Sequence, residues 1–133
     1  MNRRKSREIA MQLLFEMSIN KEDCSFIIQN FKENADIDLK DIDFQYIERV
    51  LNGVQVNGKE IDSTIEKYLV KWKIERLPKM NLAILRMATF EILFEADIPE
   101  RVSVNEAIEL AKAYGDDNAP SFINAVLNNL VKK

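Results

Sequence analysis

An all-α fold of about seven helices is predicted from three features of the chain. Glycine and proline number only three each in 133 residues, against average usage of roughly 7% and 5%, while good helix formers abound. Apolar residues recur at intervals of three and four through successive segments, which is the spacing of one helix face. Capping and turn residues stand between those segments rather than inside them. A hydrophobic content of 47% suffices for a core at this length and argues against disorder.

The first helix is expected from about Arg3 to Ile19, carried by Ile9, Ala10, Leu13, Leu14 and Met17. A second covers Ser25 to Glu33, and the polar stretch from Asn34 to Asp41 reads as a loop. Asp41 or Asp43 caps a third helix built on Phe44, Ile47, Leu51 and Val54. Asn57 and Gly58 interrupt it. That dipeptide is also a hairpin signal, but no second strand pattern follows; instead Ile61, Ile65, Leu69 and Trp72 continue as the stripe of a fourth helix. Pro78 opens a fifth, with Leu82, Leu85, Ala88 and Ile92 on one face, and Pro99 follows its end. Ser103 and Glu106 have the spacing of a capping box, which places the start of the sixth helix at Ser103. Gly115 supplies a left-handed residue to end it, and Asn118 caps the last helix, which runs through Phe122, Val126 and Leu130. The helices fall into halves of about 1–75 and 76–133. Each is at or below the size that holds a core unaided, so the halves are expected to pack as one domain, 1–133.

The inventory of reactive groups favours binding over catalysis. The chain has no histidine, which removes the commonest general base and the commonest metal ligand. Gly53, Gly58 and Gly115 are too scattered for a phosphate-cradling loop. Asp116 and Asp117 lack the repeated oxygen ligands of a calcium loop and read as solvated charges. Cys24 is the single cysteine, so neither an internal disulfide nor a cysteine zinc site is available. No catalytic residue, metal or cofactor is assigned. No apolar run approaches the roughly 18 residues of a membrane span, and no apolar block follows the basic start as a signal peptide requires, so a cytoplasmic protein is expected.

Charge points to the partner. Four of the first seven residues, Arg3, Arg4, Lys5 and Arg7, are cationic, whereas the whole chain carries −3. A basic arm on an acidic body suits a polyanion. Cations in a first helical turn also oppose the helix dipole, at roughly 0.3–1 kcal/mol each, which a chain with otherwise well-capped helices has no structural reason to accept. At 100° per residue, Phe15 falls opposite the core face, near Arg4 and between Arg7 and Gln12. Cation, aromatic face and amide are what an unpaired RNA base and its phosphate require. The competing reading makes Met11 and Phe15 a second core face, with the first helix wedged between the halves.

The stretch Arg3, Arg4, Lys5, Ser6, Arg7, Glu8, with Ala10, Gln12 and Leu14 following, resembles the opening of the NusB family of transcription antitermination factors. The second half is more specific: Ile84-Leu85-Arg86, Glu91-Ile92-Leu93, Asp97-Ile98-Pro99, the run Val104 to Lys112, and Phe122 to Leu127 follow the family in order and spacing. The resemblance implies an all-α fold of two packed helical bundles and a non-enzymatic role. It implies binding of the boxA element of ribosomal RNA leader transcripts together with NusE, a small-subunit ribosomal protein, so that RNA polymerase resists termination. RNA-facing positions carry over to Arg3, Arg4, Lys5 and Arg7, and to Asn118, Ser121 and Phe122; Gln12 and Phe15 join them from the helical wheel. Glu75 and Arg86 are placed toward NusE. Phe122 also belongs to the apolar stripe of the last helix, so core and RNA contact both stand.

Asn81, Ala125 and Asn118 depart from the family pattern, the last replacing a common acidic residue and so reducing repulsion from phosphate. An alternative is a self-associating scaffold or storage dimer whose RNA and partner surfaces are occluded. A helical domain of this kind also begins some ribosomal RNA cytosine methyltransferases, but nothing here corresponds to their nucleotide-binding region. Three or four phosphates on single-stranded RNA give a salt slope of roughly −2 to −3, so weak binding alone and tighter binding beside a basic partner are expected. Replacing Arg4 and Arg7 together is expected to weaken RNA binding at nearly unchanged stability.

Overall fold

A computed structural model describes residues 2–132. Its helices are α1 (Arg3–Asn20), α2 (Cys24–Asn34), α3 (Phe44–Val56), α4 (Gly58–Glu66), α5 (Lys79–Phe94), α6 (Glu100–Tyr114) and α7 (Ala119–Lys132), with a 3-10 turn at Ile74–Arg76 between α4 and α5. The all-α class holds, and most ends fall where local chemistry predicts. Asp23 caps α2 by accepting from the Ser25 amide at 3.0 Å. Asp43, not Asp41, caps α3 by accepting from the Tyr46 amide at 3.1 Å. Among the described residues no helix is long and apolar enough to cross a membrane.

Three expectations are corrected. The fourth helix stops at Glu66, because the next amides turn back by three residues, Tyr68 to the Ile65 carbonyl at 3.0 Å and Leu69 to that of Glu66 at 3.2 Å. That tightening ends the α-helical register; Leu69 packs at the edge of the core and Trp72 is left 53% exposed. The sixth helix starts at Glu100 rather than Ser103. The amides of Val102 and Ser103 already reach the Pro99 carbonyl, at 2.9 and 3.3 Å, so Ser103 and Glu106 are released from capping for other partners. Gly115 is extended, at φ −95° and ψ 178°. It is a glycine because a Cβ there would strike the Ala119 methyl and come within 3.0 Å of the Ala111 carbonyl. The left-handed residue is Lys21, at φ 59°, whose amide closes α1 on the Met17 carbonyl at 2.9 Å.

The core is organised around α5, which buries ten of its 16 residues and packs against α1, α3, α4, α6 and α7. A helix apolar nearly all round has no solvent face to offer and must lie inside. Helix α1 lies against α2, α3 and α5, and Met11 is fully buried together with Ile9, Ala10, Leu13 and Leu14. The wedged placement of the first helix is thus the observed one. Gly53 on α3 permits close packing, since a Cβ there would run into the Phe90 ring.

One buried carboxylate fastens four helices. Glu91 of α5 takes the Arg7 guanidinium of α1 in a fork, Nε to Oε2 at 2.8 Å and Nη2 to Oε1 at 3.0 Å. The Tyr46 hydroxyl of α3 donates to the same Oε2, and Ser103 Oγ of α6 donates to Oε1 at 2.7 Å. Each oxygen therefore accepts two hydrogen bonds in a site where Glu91 is 1% and Arg7 5% exposed. Burial is the largest influence on Arg7 and opposes its charge, yet the Glu91 bond and field hold its pKa above the ordinary value. Burial, then the neighbouring Glu91 charge, push the Tyr46 phenol well above its usual range.

Arg7→Ala is expected to cost about 3–5 kcal/mol, because it strands a buried carboxylate, which corrects the expectation that Arg4 and Arg7 can be replaced together at nearly unchanged stability; urea unfolding measures it. Gly53→Ala is expected to destabilise by about 1–2 kcal/mol, the crowding at Phe90 outweighing a gain in helix propensity of up to about 1 kcal/mol. A melting temperature at or above that of the unaltered protein would contradict it.

Candidate nucleic-acid interface

The basic arm is held in one conformation from its first described residue. Asn2 caps α1 by accepting the Lys5 amide at 2.9 Å, and its own amide donates to the Asp41 carbonyl at 2.8 Å. Ser6 Oγ donates to the Asn2 carbonyl and accepts the Asp43 amide, both at 2.8 Å. The start of α1 is in this way stitched to the loop before α3, so its cations project from a fixed frame.

Every one of those cations has a carboxylate partner. Arg3 meets Asp43 at 3.2 Å and lies over the Tyr46 ring, 4.5 Å from its centroid. Arg4 forms a fork with Glu106, Nε to Oε1 at 3.0 Å and Nη2 to Oε2 at 2.7 Å. Lys5 donates to Glu8 at 2.7 Å. Arg7 is turned inward to Glu91, and this corrects the expectation of four equally presented cations: its guanidinium is 5% exposed, is held by a buried carboxylate, and meets the groove only beside Glu106, 3.9 Å from Nη1. The Arg4 side chain is 74% exposed and retains unused N–H donors beyond the two that bind Glu106.

Arg4, Lys5 and Arg7 line a groove of 390 Å³ together with Glu8, Glu106 and Glu109. Each of the four cations of the arm is matched by one carboxylate, Asp43, Glu106, Glu8 and Glu91 in turn, so the arm is locally neutral rather than a bare positive patch. The bond from Arg4 holds the Glu106 carboxyl below the usual carboxylate range and holds Arg4 above its own. The Lys5 bond first, and the Tyr114 bond second, lower Glu8. Burial and the bond to Glu8, 2.6 Å long, push the Tyr114 phenol up to about 12.

The wheel-based residues behave differently from one another. Gln12 is exposed and donates to the Tyr114 hydroxyl at 3.1 Å, beside the groove. Phe15 is partly buried and packs against the core. Asn118 and Phe122 line a second groove, of 320 Å³, between the α4–α5 connection and the start of α7. No lining residue is shared between this groove and that of the arm. Ser121 is exposed, its hydroxyl donating to the Asn118 carbonyl at 3.3 Å. Phe122 is partly buried against the core and also lines the groove. Of the positions placed toward a protein partner, Glu75 is exposed on the 3-10 turn. Arg86 is instead forked to Asp62 at 2.9 and 2.8 Å, beside a groove that includes Leu14, Ser18 and Gln55.

Sequence reasoning missed Glu91 as a hub and Trp72 and Arg76 as groove residues. A charge between apolar helix positions signals the first. For the second, the signal is a density of lysines and arginines around Trp72 that a helical stripe concealed.

The depressed carboxyls set a direction for pH dependence. With native values of Glu8 and Glu106 below the ordinary 4.5, the unfolded chain binds more protons between the two, so stability is complete above about pH 4.5 and falls as acid takes the pH through the native values. Melting temperature against pH is expected to drop below that point, and less steeply in Arg4→Ala, where Glu106 loses its main partner.

Comparison with known proteins supplies the family. The model of the NusB family matches residues 4–132. The transcription antitermination protein NusB of Clostridium novyi is 58% identical over 132 residues, covering 99% of each chain. That of Clostridium acetobutylicum is 56% identical over 131 residues, covering 98% of this chain and 96% of its own. Among solved structures, T. maritima NusB superposes with a TM-score of 0.87 at 35% identity, covering 100% of this chain and 92% of its own. A chain from the crystal structure of antitermination factors NusB and NusE in complex with dsRNA gives a TM-score of 0.86 at 27% identity, covering 98% and 96%. On this full-length likeness in sequence and fold, the chain belongs to the NusB family.

Proposed function

We propose that the chain is a non-enzymatic, RNA-binding transcription antitermination factor, acting in the cytoplasm on the boxA element of ribosomal RNA leader transcripts. It binds that RNA jointly with NusE, and the assembly helps RNA polymerase resist termination. The family match over residues 4–132 carries this reading. A relative at 27% identity has been solved with NusE and dsRNA, which supports both partners.

The geometry narrows how the arm contributes. Arg3, Arg4 and Lys5 are the cations that can meet phosphate, and Arg4 is the most accessible of them. An exposed ion pair contributes little, so a phosphate can replace or share Glu106 at small cost. Gln12, Asn118, Ser121 and Phe122 offer polar edges and one aromatic face; Phe15 acts from behind as packing, and Arg7 positions α1. Glu75 remains available to a protein partner, whereas Arg86 first has to leave Asp62.

Three arm contacts on single-stranded RNA give a salt slope of roughly −2, so affinity alone is modest and a basic partner completes the surface. RNA binding measured with and without NusE is expected to be several-fold tighter with it; equal affinities remove the cooperative step. Arg4→Ala is expected to weaken RNA binding with little change in melting temperature. Glu106→Gln, by releasing Arg4, is expected to strengthen it several-fold, and unchanged binding in both variants would take Arg4 out of the interface.

A further inference from the structure

The positive charge without a carboxylate partner lies away from the arm. Residues 67–79 contain Lys67, Lys71, Lys73, Arg76 and Lys79 against one acid, Glu75. Among the described residues none of the five is ion-paired, in contrast to Arg3, Arg4, Lys5 and Arg7. In the midst of these cations stands Trp72, the chain's one tryptophan, 53% exposed. It belongs to two adjoining grooves. One, of 320 Å³, also holds Arg76, Asn81, Asn118 and Phe122; the other, of 190 Å³, holds Lys71 and again Phe122.

We propose that Trp72 is a stacking platform for an unpaired base of single-stranded RNA, with Lys71, Lys73 and Arg76 on the flanking phosphates and the Asn81 and Asn118 amides at the base edge. The inference rests on the RNA-binding reading and deepens it by adding Trp72 and its flanking cations to the groove that Asn118 and Phe122 line. An exposed indole among unpaired cations combines the two elements of single-strand recognition, a flat π-face and backbone neutralisation. Asp116, whose Oδ1 accepts the Asn118 amide at 3.0 Å, also lines the groove and repels phosphate there. It thereby sets the orientation, with the base directed inward and the backbone outward along the lysines. The amides and the carboxylate between them meet both donors and acceptors of a base edge.

A single tryptophan makes the site its own reporter. A short single-stranded RNA carrying boxA, titrated with NusE present, is expected to quench the fluorescence of Trp72. Trp72→Ala is expected to weaken RNA binding by roughly tenfold and Trp72→Phe by less, because a smaller ring still stacks; circular dichroism checks that both variants keep their helices. Arg4→Ala is expected to lower affinity but leave the quench at saturation intact. RNA that binds by anisotropy without quenching, and equally well to Trp72→Ala, overturns the stacking site while RNA binding itself stands. Quenching by NusE alone and none by RNA overturns it in favour of a protein-docking surface. No RNA binding by any readout, with or without NusE, overturns the underlying function as well.

Discussion

The buried Glu91 carboxylate is the constraint on which the rest of the molecule depends. A charge 1% exposed within the most apolar helix persists only if its lone pairs are filled. Its four donors arrive from α1, α3 and α6. Each of those helices is consequently fixed in rotation and in position along its axis, since a slip of one residue in any of them leaves an acceptor unpaired. Hydrophobic packing alone tolerates such slips far better.

That constraint explains how a helix can begin with cations. Three positive side chains in the first turn of α1 work against its dipole. The rotation set by Arg7 brings Arg4 to Glu106, and the loop before α3 brings Asp43 to Arg3. The local conflict is answered by acids from distant parts of the chain. The pairing leaves Arg4 with N–H donors beyond the two that hold Glu106, so its field is offset by a carboxylate while its outer edge stays open.

Much of the fold was legible because its signals are local. The apolar spacing in α3 and α5, the Asp43 cap and the break at Gly58 need only a few neighbouring residues. The misreadings arose at helix ends, where backbone bonds over three residues or crowding within one turn decided the outcome, and at side chains claimed by distant elements. Ser103 and Glu106 have capping-box spacing, but their partners are Glu91 and Arg4. Gly115 was read as a matter of backbone angle and proved a matter of space beside Ala119. Arg7 was indistinguishable from Arg4 by composition; only the third dimension shows that one faces inward and the other out. Trp72 fitted a helical stripe because periodicity carries no record of where a helix stops. The candidate site was accordingly visible as an arm and, through the family resemblance, at Asn118 and Phe122, while the neutralising acids of the arm and the part of Trp72 and Arg76 in the second groove were not.

The crowded corner at Gly115 has a further consequence for ligand recognition. The turn that follows is closed by short-range bonds, from the Ala119 amide to the Asp116 carbonyl at 3.1 Å and from the Phe122 amide to the Asn118 carbonyl at 3.1 Å. With no room for a side chain at the elbow, Asn118 is set in place by folding itself. Its backbone entropy is surrendered on folding, the amide held by Asp116 and the carbonyl by Phe122, so a contact made there costs less ordering than the same contact from a pliant loop. A side chain as small as a methyl group at position 115 would thus act at a distance, loosening recognition without touching anything that is recognised.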